Sequence, residues 1–131
     1  DGWYGFDDAL LSAVAVLKEM AETGRDITAF VDTLPPVFAT PELRIPCMES
    51  KKFALVDAVT KAARTDPDHG TLDVNAIDGI RVTTDQGWWL IRASNTGAEL
   101  VARAEGHDKA ALDKLESSIY HRLQSAGWKK P

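Results

Sequence analysis

The sequence predicts an α+β fold of two layers, a largely antiparallel sheet with helices on one face. Two observations carry this. Four strand-like segments follow one another at short separations between Thr71 and Glu105, which favours hairpin-connected antiparallel neighbours. Two amphipathic helices of similar length flank that run, one before it and one after, and a short strand precedes the first of them. The expected order is strand, helix, four strands, helix, with about five strands in the sheet.

Taken in order, Asp7 or Asp8 can cap a helix whose Leu10, Leu11, Val14 and Leu17 recur at helical spacing, ending near Gly24. Two neighbouring aspartates could hint at a metal, but a carboxylate at the positive end of a helix dipole serves a structural purpose. A short helical piece follows from about Ile27 to Leu34. Pro35-Pro36 stops it, and the segment up to Pro41 reads as an extended connector with a hinge.

Glu42-Leu43-Arg44-Ile45 alternates polar and apolar residues and reads as the first strand, closed by Pro46. Glu49 or Ser50 begins a helix with an apolar stripe of Phe53, Val56, Val59, Ala62 and Ala63, read as core packing. It ends by Asp66-Pro67, with His69-Gly70 in the loop beyond. The four strands are then Thr71 to Val74, Ile80 to Thr84, Trp88 to Ala93, and Ala98 to Glu105. Asp78-Gly79 turns the first into the second, and Asp85-Gln86-Gly87 makes a tight hairpin between the second and third. The last helix starts at the cap Asp108, carries Leu112, Leu115, Ile119 and Leu123 on one face, and stops at Gly127.

The 131 residues carry a formal charge of −5, which argues against a general nucleic-acid binder. A single cysteine, Cys47, leaves no internal disulfide and suits a reducing compartment. No apolar run is long enough to span a bilayer, so a cytoplasmic, membrane-free protein is expected. The start at Asp1-Gly2-Trp3-Tyr4 without methionine suggests a piece of a longer chain.

Nucleophilic catalysis needs a nucleophile near a base. His69, His107 and His121 fall in a loop, at a strand end and on a helix surface, and nothing in their spacing gathers them beside Cys47 or a serine. No metal-ligand spacing is present either. Trp88 and Trp89 must face opposite sides of their strand. One ring can fill the core while the other shields the far face or stacks on a ligand. Arg81 and Arg103, also on strands, are expected to pair across strands with Asp or Glu.

The connection between the third and fourth strands, Arg92-Ala93-Ser94-Asn95-Thr96-Gly97, has the composition of an anion grip. Arg92 offers a guanidinium fork, Ser94 and Thr96 hydroxyls, Asn95 an amide, and Gly97 a backbone free to turn its N–H inward. A phosphate dianion is bound by donors converging without a carboxylate. The same residues also make an ordinary turn, and none of the common phosphate motifs is matched.

Three segments together are more specific: Asp78-Gly79-Ile80-Arg81-Val82, Gly87-Trp88-Trp89-Leu90-Ile91-Arg92-Ala93-Ser94-Asn95-Thr96, and Leu100-Val101-Ala102-Arg103-Ala104-Glu105. With Asp1-Gly2, Asp7-Asp8-Ala9 and Thr40-Pro41-Glu42-Leu43-Arg44 upstream, the chain resembles the α-D-phosphohexomutase family, which includes bacterial phosphomannomutase/phosphoglucomutase enzymes. The resemblance covers nearly the whole chain. Gly97-Ala98 departs from the Thr-Pro or Ser-Pro common after this motif, which puts the stiffness of the loop in question.

The resemblance implies the end of the third of four domains followed by the complete fourth. Residues 1–36 would be the helical tail of an α/β domain and its linker. Residues 37–131 would be a C-terminal phosphate-binding domain similar in fold to half of the TATA-binding protein. It further implies that Arg92, Ser94, Asn95, Thr96 and Gly97 bind the phosphate of a phosphosugar, with no catalytic and no metal residue in this chain. Chemistry in the family runs through a phosphoserine and a bisphosphorylated sugar, hexose 1,6-bisphosphate, with Mg2+ on an aspartate cluster. Those groups, and a Glu-x-Ser-Gly-His sugar loop expected just before Asp1, lie outside this sequence. The implied partners are the sugar phosphate and the missing N-terminal domains, the implied state is a monomer, and the piece alone is expected to be inactive. The alternative is a stand-alone α+β module using its open sheet face for nucleic acid or another partner.

Overall fold

The computed structural model describes residues 4–65 and 71–130. The expectations placed on Asp1-Gly2-Trp3, Asp66-Pro67 and His69-Gly70 fall outside these residues. The chain divides into two compact units, Asp1–Pro36 and Val37–Pro131.

The first unit holds helix α1 (Ala9–Thr23) and helix α2 (Ile27–Val31). Asp8 caps α1 by accepting from the Leu11 N–H at 2.9 Å, and Gly24 ends it in the left-handed conformation. Asp26 caps α2, which is shorter than the sequence pattern suggested. The apolar stripe of α1 has the expected spacing, but Leu10, Val14 and Leu17 are all exposed.

In the second unit six strands form one antiparallel sheet: β1 (Phe38–Ala39), β2 (Leu43–Pro46), β3 (Thr71–Asn75), β4 (Ile80–Thr84), β5 (Gly87–Ala93) and β6 (Glu99–Gly106). Their order is β1-β6-β5-β4-β3, with β2 also on β6. Helices α3 (Lys52–Thr65) and α4 (Lys109–Ser125) pack on one face. This is the expected α+β arrangement with one strand more. The sequence pattern puts β1 in an extended connector, but Phe38 and Ala39 pair with Gly106 and Glu105. Thr40, buried, fixes it: its N–H donates to the Ala104 carbonyl and its Oγ1 accepts from the Ala104 N–H. From Phe38 on, the segment is therefore part of the sheet.

The core lies between the helices and the inner sheet face. Ile80, Val82, Trp89, Ile91, Leu100 and Ala102 meet Leu55 and Val59 of α3 and Leu115, Ile119 and Leu123 of α4. Strand alternation buries every second residue of β5, from Gly87 to Ala93. Trp89 is thus in the core, while Trp88 lies on the outer face under the Arg81 guanidinium, 4.6 Å from its ring centre. Arg81 stacks on that ring where cross-strand pairing with a carboxylate had been expected, because its partner across β5 is Leu90. Arg103 likewise makes no ion pair among the described residues.

The stripe of α3 is rotated from its expected phase. Lys52, Leu55, Val56, Val59 and Ala63 are buried, whereas Phe53 and Ala62 are exposed. Phe53 and Leu55 lie on opposite flanks of the stripe through Val56, Val59 and Ala63, and the helix turns Leu55 rather than Phe53 towards the sheet. That orientation drives a lysine into the core.

Candidate functional site

The polar connection between β5 and β6 lies at one end of the sheet, between antiparallel neighbours. Its base is tightly tied. The Ser94 N–H donates to the Glu99 carbonyl at 3.0 Å, and the Cys47 N–H donates to the Ala98 carbonyl at 3.0 Å. From beneath, the Lys52 ammonium donates to the Ser94 carbonyl at 2.6 Å and to the Gly97 carbonyl at 3.1 Å, and pairs with Glu49 at 2.6 Å. Only 2% of Lys52 is exposed. Three acceptors match the three N–H bonds of an ammonium.

Ser94 is buried, and its Oγ accepts from the Gly97 N–H at 3.1 Å and the Thr96 N–H at 3.4 Å. This corrects one sequence expectation. The Gly97 N–H is spent inside the loop, because the Ser94 hydroxyl folds back over it as local serine side chains do. The Asn95 and Ala98 N–H groups are different: among the described residues neither makes a hydrogen bond. Each belongs to a peptide whose carbonyl points at Lys52, and in a trans peptide C=O and N–H point in opposite directions. Asn95 and Thr96 are exposed.

Arg92, at the end of β5, is half-buried on the outer sheet face and makes no hydrogen bond or ion pair among the described residues. Gly79 is packed against it. At φ 75° Gly79 approaches so closely that a Cβ would stand 2.7 Å from the Arg92 Cα and Cβ. Across the sheet, Arg92 and Arg44 are both opposite Val101, two strands apart and so about 10 Å between Cα atoms.

A carboxylate also stands beside the loop, although none belongs to residues 92–97 themselves. Glu99 lies against Gly97. It is neutralised by Arg44, whose Nη1 donates to Glu99 at 2.6 Å while its Nη2 pairs with Glu42 at 2.7 Å. Glu42 first, then Glu99, raise the Arg44 pKa and keep it charged. On the other side Asn95 borders a cleft of 210 Å³ whose lining includes Asp57 and Asp78. Those carboxylates disfavour an anion in that cleft. Nearby Cys47 has its thiol pKa pushed up, by burial first and by Glu49 second.

Of the five residues singled out in the sequence, the structure brings Arg92, Asn95 and Thr96 to the surface at one sheet end and turns Ser94 and the Gly97 N–H inward. His107 ends up at the close of β6, and His121 on the exposed side of α4. Among the described residues no three His, Cys, Asp or Glu side chains converge as a metal site. Lys52 was missed. Its signal was positional: a lysine at the first place of a stripe running 52, 56, 59, 63.

Residues 42–122 match the model of the phosphoglucomutase/phosphomannomutase C-terminal domain. The chain belongs to that family. It is 32% identical over 123 residues to a phosphomannomutase/phosphoglucomutase of Pseudomonas aeruginosa, covering 94% of this chain and 26% of that protein. It is 33% identical over 124 residues to a phosphoglucomutase of Neisseria gonorrhoeae, with the same coverage. A crystal structure of a phosphoglucomutase/phosphomannomutase family protein from Burkholderia thailandensis superposes with a TM-score of 0.76 at 32% identity, over 98% of this chain and 26% of that one. The phosphohexomutase-family chain thus spans about a quarter of the length of these relatives.

Proposed function

We propose that this chain is the part of a phosphohexomutase that grips the phosphate of the sugar substrate, in an enzyme interconverting hexose 1-phosphate and hexose 6-phosphate of glucose, mannose or both. The observation that carries it is the Arg92 guanidinium, without a partner among the described residues, at a loop whose Asn95 and Ala98 N–H groups likewise make no hydrogen bond among them. Arg92 supplies the charge, Asn95 and Thr96 supply exposed side-chain donors, and Ser94 retains one hydroxyl proton. Such a grip reads phosphate and ignores which sugar carbon bears it, so it can hold either orientation of a bisphosphorylated intermediate. Its contribution to catalysis is positioning.

Phosphoryl transfer itself, through a phosphoserine, belongs to other parts of the longer enzyme. The described residues here do not fit a magnesium site, and no step is assigned to a metal in this chain. The uncovered apolar stripe of α1, with Leu10, Val14 and Leu17 exposed, supports its membership of a preceding domain. The chain alone is inactive on this reading, and the enzyme is a cytoplasmic monomer.

Titrating the isotope-labelled chain with glucose 1-phosphate and, separately, with a short oligonucleotide tests the proposal. Amide shifts concentrated between Arg92 and Ala98 with the sugar phosphate are expected. Shifts spread over the outer sheet face with the oligonucleotide alone would assign the chain to nucleic acid and sink the phosphate assignment.

A further inference from the structure

We propose that Lys52 is a positioning residue for phosphate recognition: the buried ammonium turns the Ser94 and Gly97 carbonyls inward and thereby presents the Asn95 and Ala98 N–H groups to the anion. This rests on the phosphate-binding role proposed for the loop. All three Lys52 N–H bonds have acceptors within the protein, two loop carbonyls and Glu49, so no donor is left over for a ligand. Lys52 acts through the peptides it holds.

The two peptides are the right ones. Ser94 O belongs to the peptide that ends in Asn95 N–H, and Gly97 O to the one that ends in Ala98 N–H. Between them, the Thr96 and Gly97 N–H groups are held by Ser94 Oγ. The loop therefore sorts its amides into two kept inside and two sent out. It does so with a cation beneath the loop whose charge is balanced by Glu49. Without the ammonium, the buried Ser94 carbonyl and the part-buried Gly97 carbonyl would have no partner, and the peptides would rotate to hydrate them. Their N–H groups would rotate away from the anion with them. As the first residue of α3, Lys52 also makes the loop geometry depend on the helix whose Leu55, Val56 and Val59 are locked in the core.

The test uses the complete chain with glucose 1-phosphate as probe. In the unaltered protein, saturation should move the Asn95 and Ala98 amide protons downfield and leave those of Thr96 and Gly97 nearly in place. Lys52→Met keeps the aliphatic stem and removes the donors. It should raise Kd by about tenfold or more. Ile119→Ala, a cavity under α4 and not under the helix that carries Lys52, controls for lost stability and should leave Kd unchanged. A folded Lys52→Met protein with unaltered Kd overturns the role of Lys52 while the phosphate site stands. If Lys52→Met does not fold, the amide pattern of the unaltered protein decides, and larger shifts at Thr96 and Gly97 than at Asn95 and Ala98 overturn the proposal. Absence of any loop shift in the unaltered protein overturns both this role and the phosphate site.

Discussion

The Nζ of Lys52 stands 2.6 Å from the carbonyl oxygen of Ser94, joining the first residue of α3 to the loop between β5 and β6. Held from below, the loop does not need Arg92 to keep its shape, and Arg92 itself has no partner among the described residues. Arg92→Ala should therefore leave the melting temperature almost unchanged while weakening sugar-phosphate binding by roughly 1.5–3 kcal/mol, the range of a charged hydrogen bond. Calorimetric melting and an amide-shift titration on the same sample separate the two effects. A large loss of stability would mean that Arg92 is a structural residue.

Trp88 and Trp89 should respond very differently to truncation. Trp89 is 1% exposed in the core, and Trp89→Ala should cost about 3–5 kcal/mol in denaturant unfolding. Trp88 lies on the outer face with Arg81 above it. Trp88→Ala should cost less, with about 0.5–1 kcal/mol of the loss due to the cation–π contact. Arg81→Ala measured in both backgrounds isolates that part.

The alternation that places these two rings was legible because a strand has only two faces, and the caps Asp8 and Asp108 are local signals. Other features depended on partners far away in the chain. β1 is two residues long and exists because Gly106 and Glu105 are there to receive it. The phase of α3 could not be settled by its own stripe, since Phe53 and Leu55 are both apolar and only the sheet decides which is buried. The loop was visible as a set of donors, but the direction of each donor was not. That direction follows from Ser94 Oγ and Lys52, and Lys52 is 42 residues from Ser94 in sequence.

Gly79 supports the site through contact. Its φ of 75° is in the left-handed region, and a Cβ there would press on Arg92 and on the Ile91 carbonyl. Gly79→Ala should destabilise the fold by more than about 1 kcal/mol, since both the backbone conformation and the space are wrong for a side chain. Because the displaced neighbour is Arg92, phosphate affinity should fall as well. A Gly79→Ala protein that binds normally would show that the β3–β4 turn does not set the position of Arg92.

Cys47 gives a pH-dependent signal beside the loop. Burial, followed by Glu49, raises its pKa, so the thiol form is favoured in the folded state. Alkylation by iodoacetamide should accordingly be slow near neutrality and reach half its maximum above the pH found for a free cysteine. The linked stability is fully present below the unfolded cysteine pKa and is lost as pH rises through the higher folded value. Glu49→Gln should lower the alkylation midpoint only partly, because burial is the larger cause.

Arg44 should influence the proposed phosphate site without touching the ligand. It holds the Glu99 carboxylate that lies against Gly97, and Glu42 helps hold Arg44 in turn. Removing the guanidinium leaves an unneutralised negative charge at the rim of an anion site, so Arg44→Ala should weaken glucose 1-phosphate binding. The effect should be largest at low ionic strength and fade as salt screens Glu99. In the double variant Arg44→Ala/Glu99→Gln the offending charge is gone, and affinity should return towards that of the unaltered protein. If the double variant binds as poorly as Arg44→Ala, then Arg44 acts by direct contact with the phosphate or by shaping β2, and masking of Glu99 is not its role. Circular dichroism of both variants distinguishes those two, since a disturbed β2 would also release the Ile45 side chain from the core.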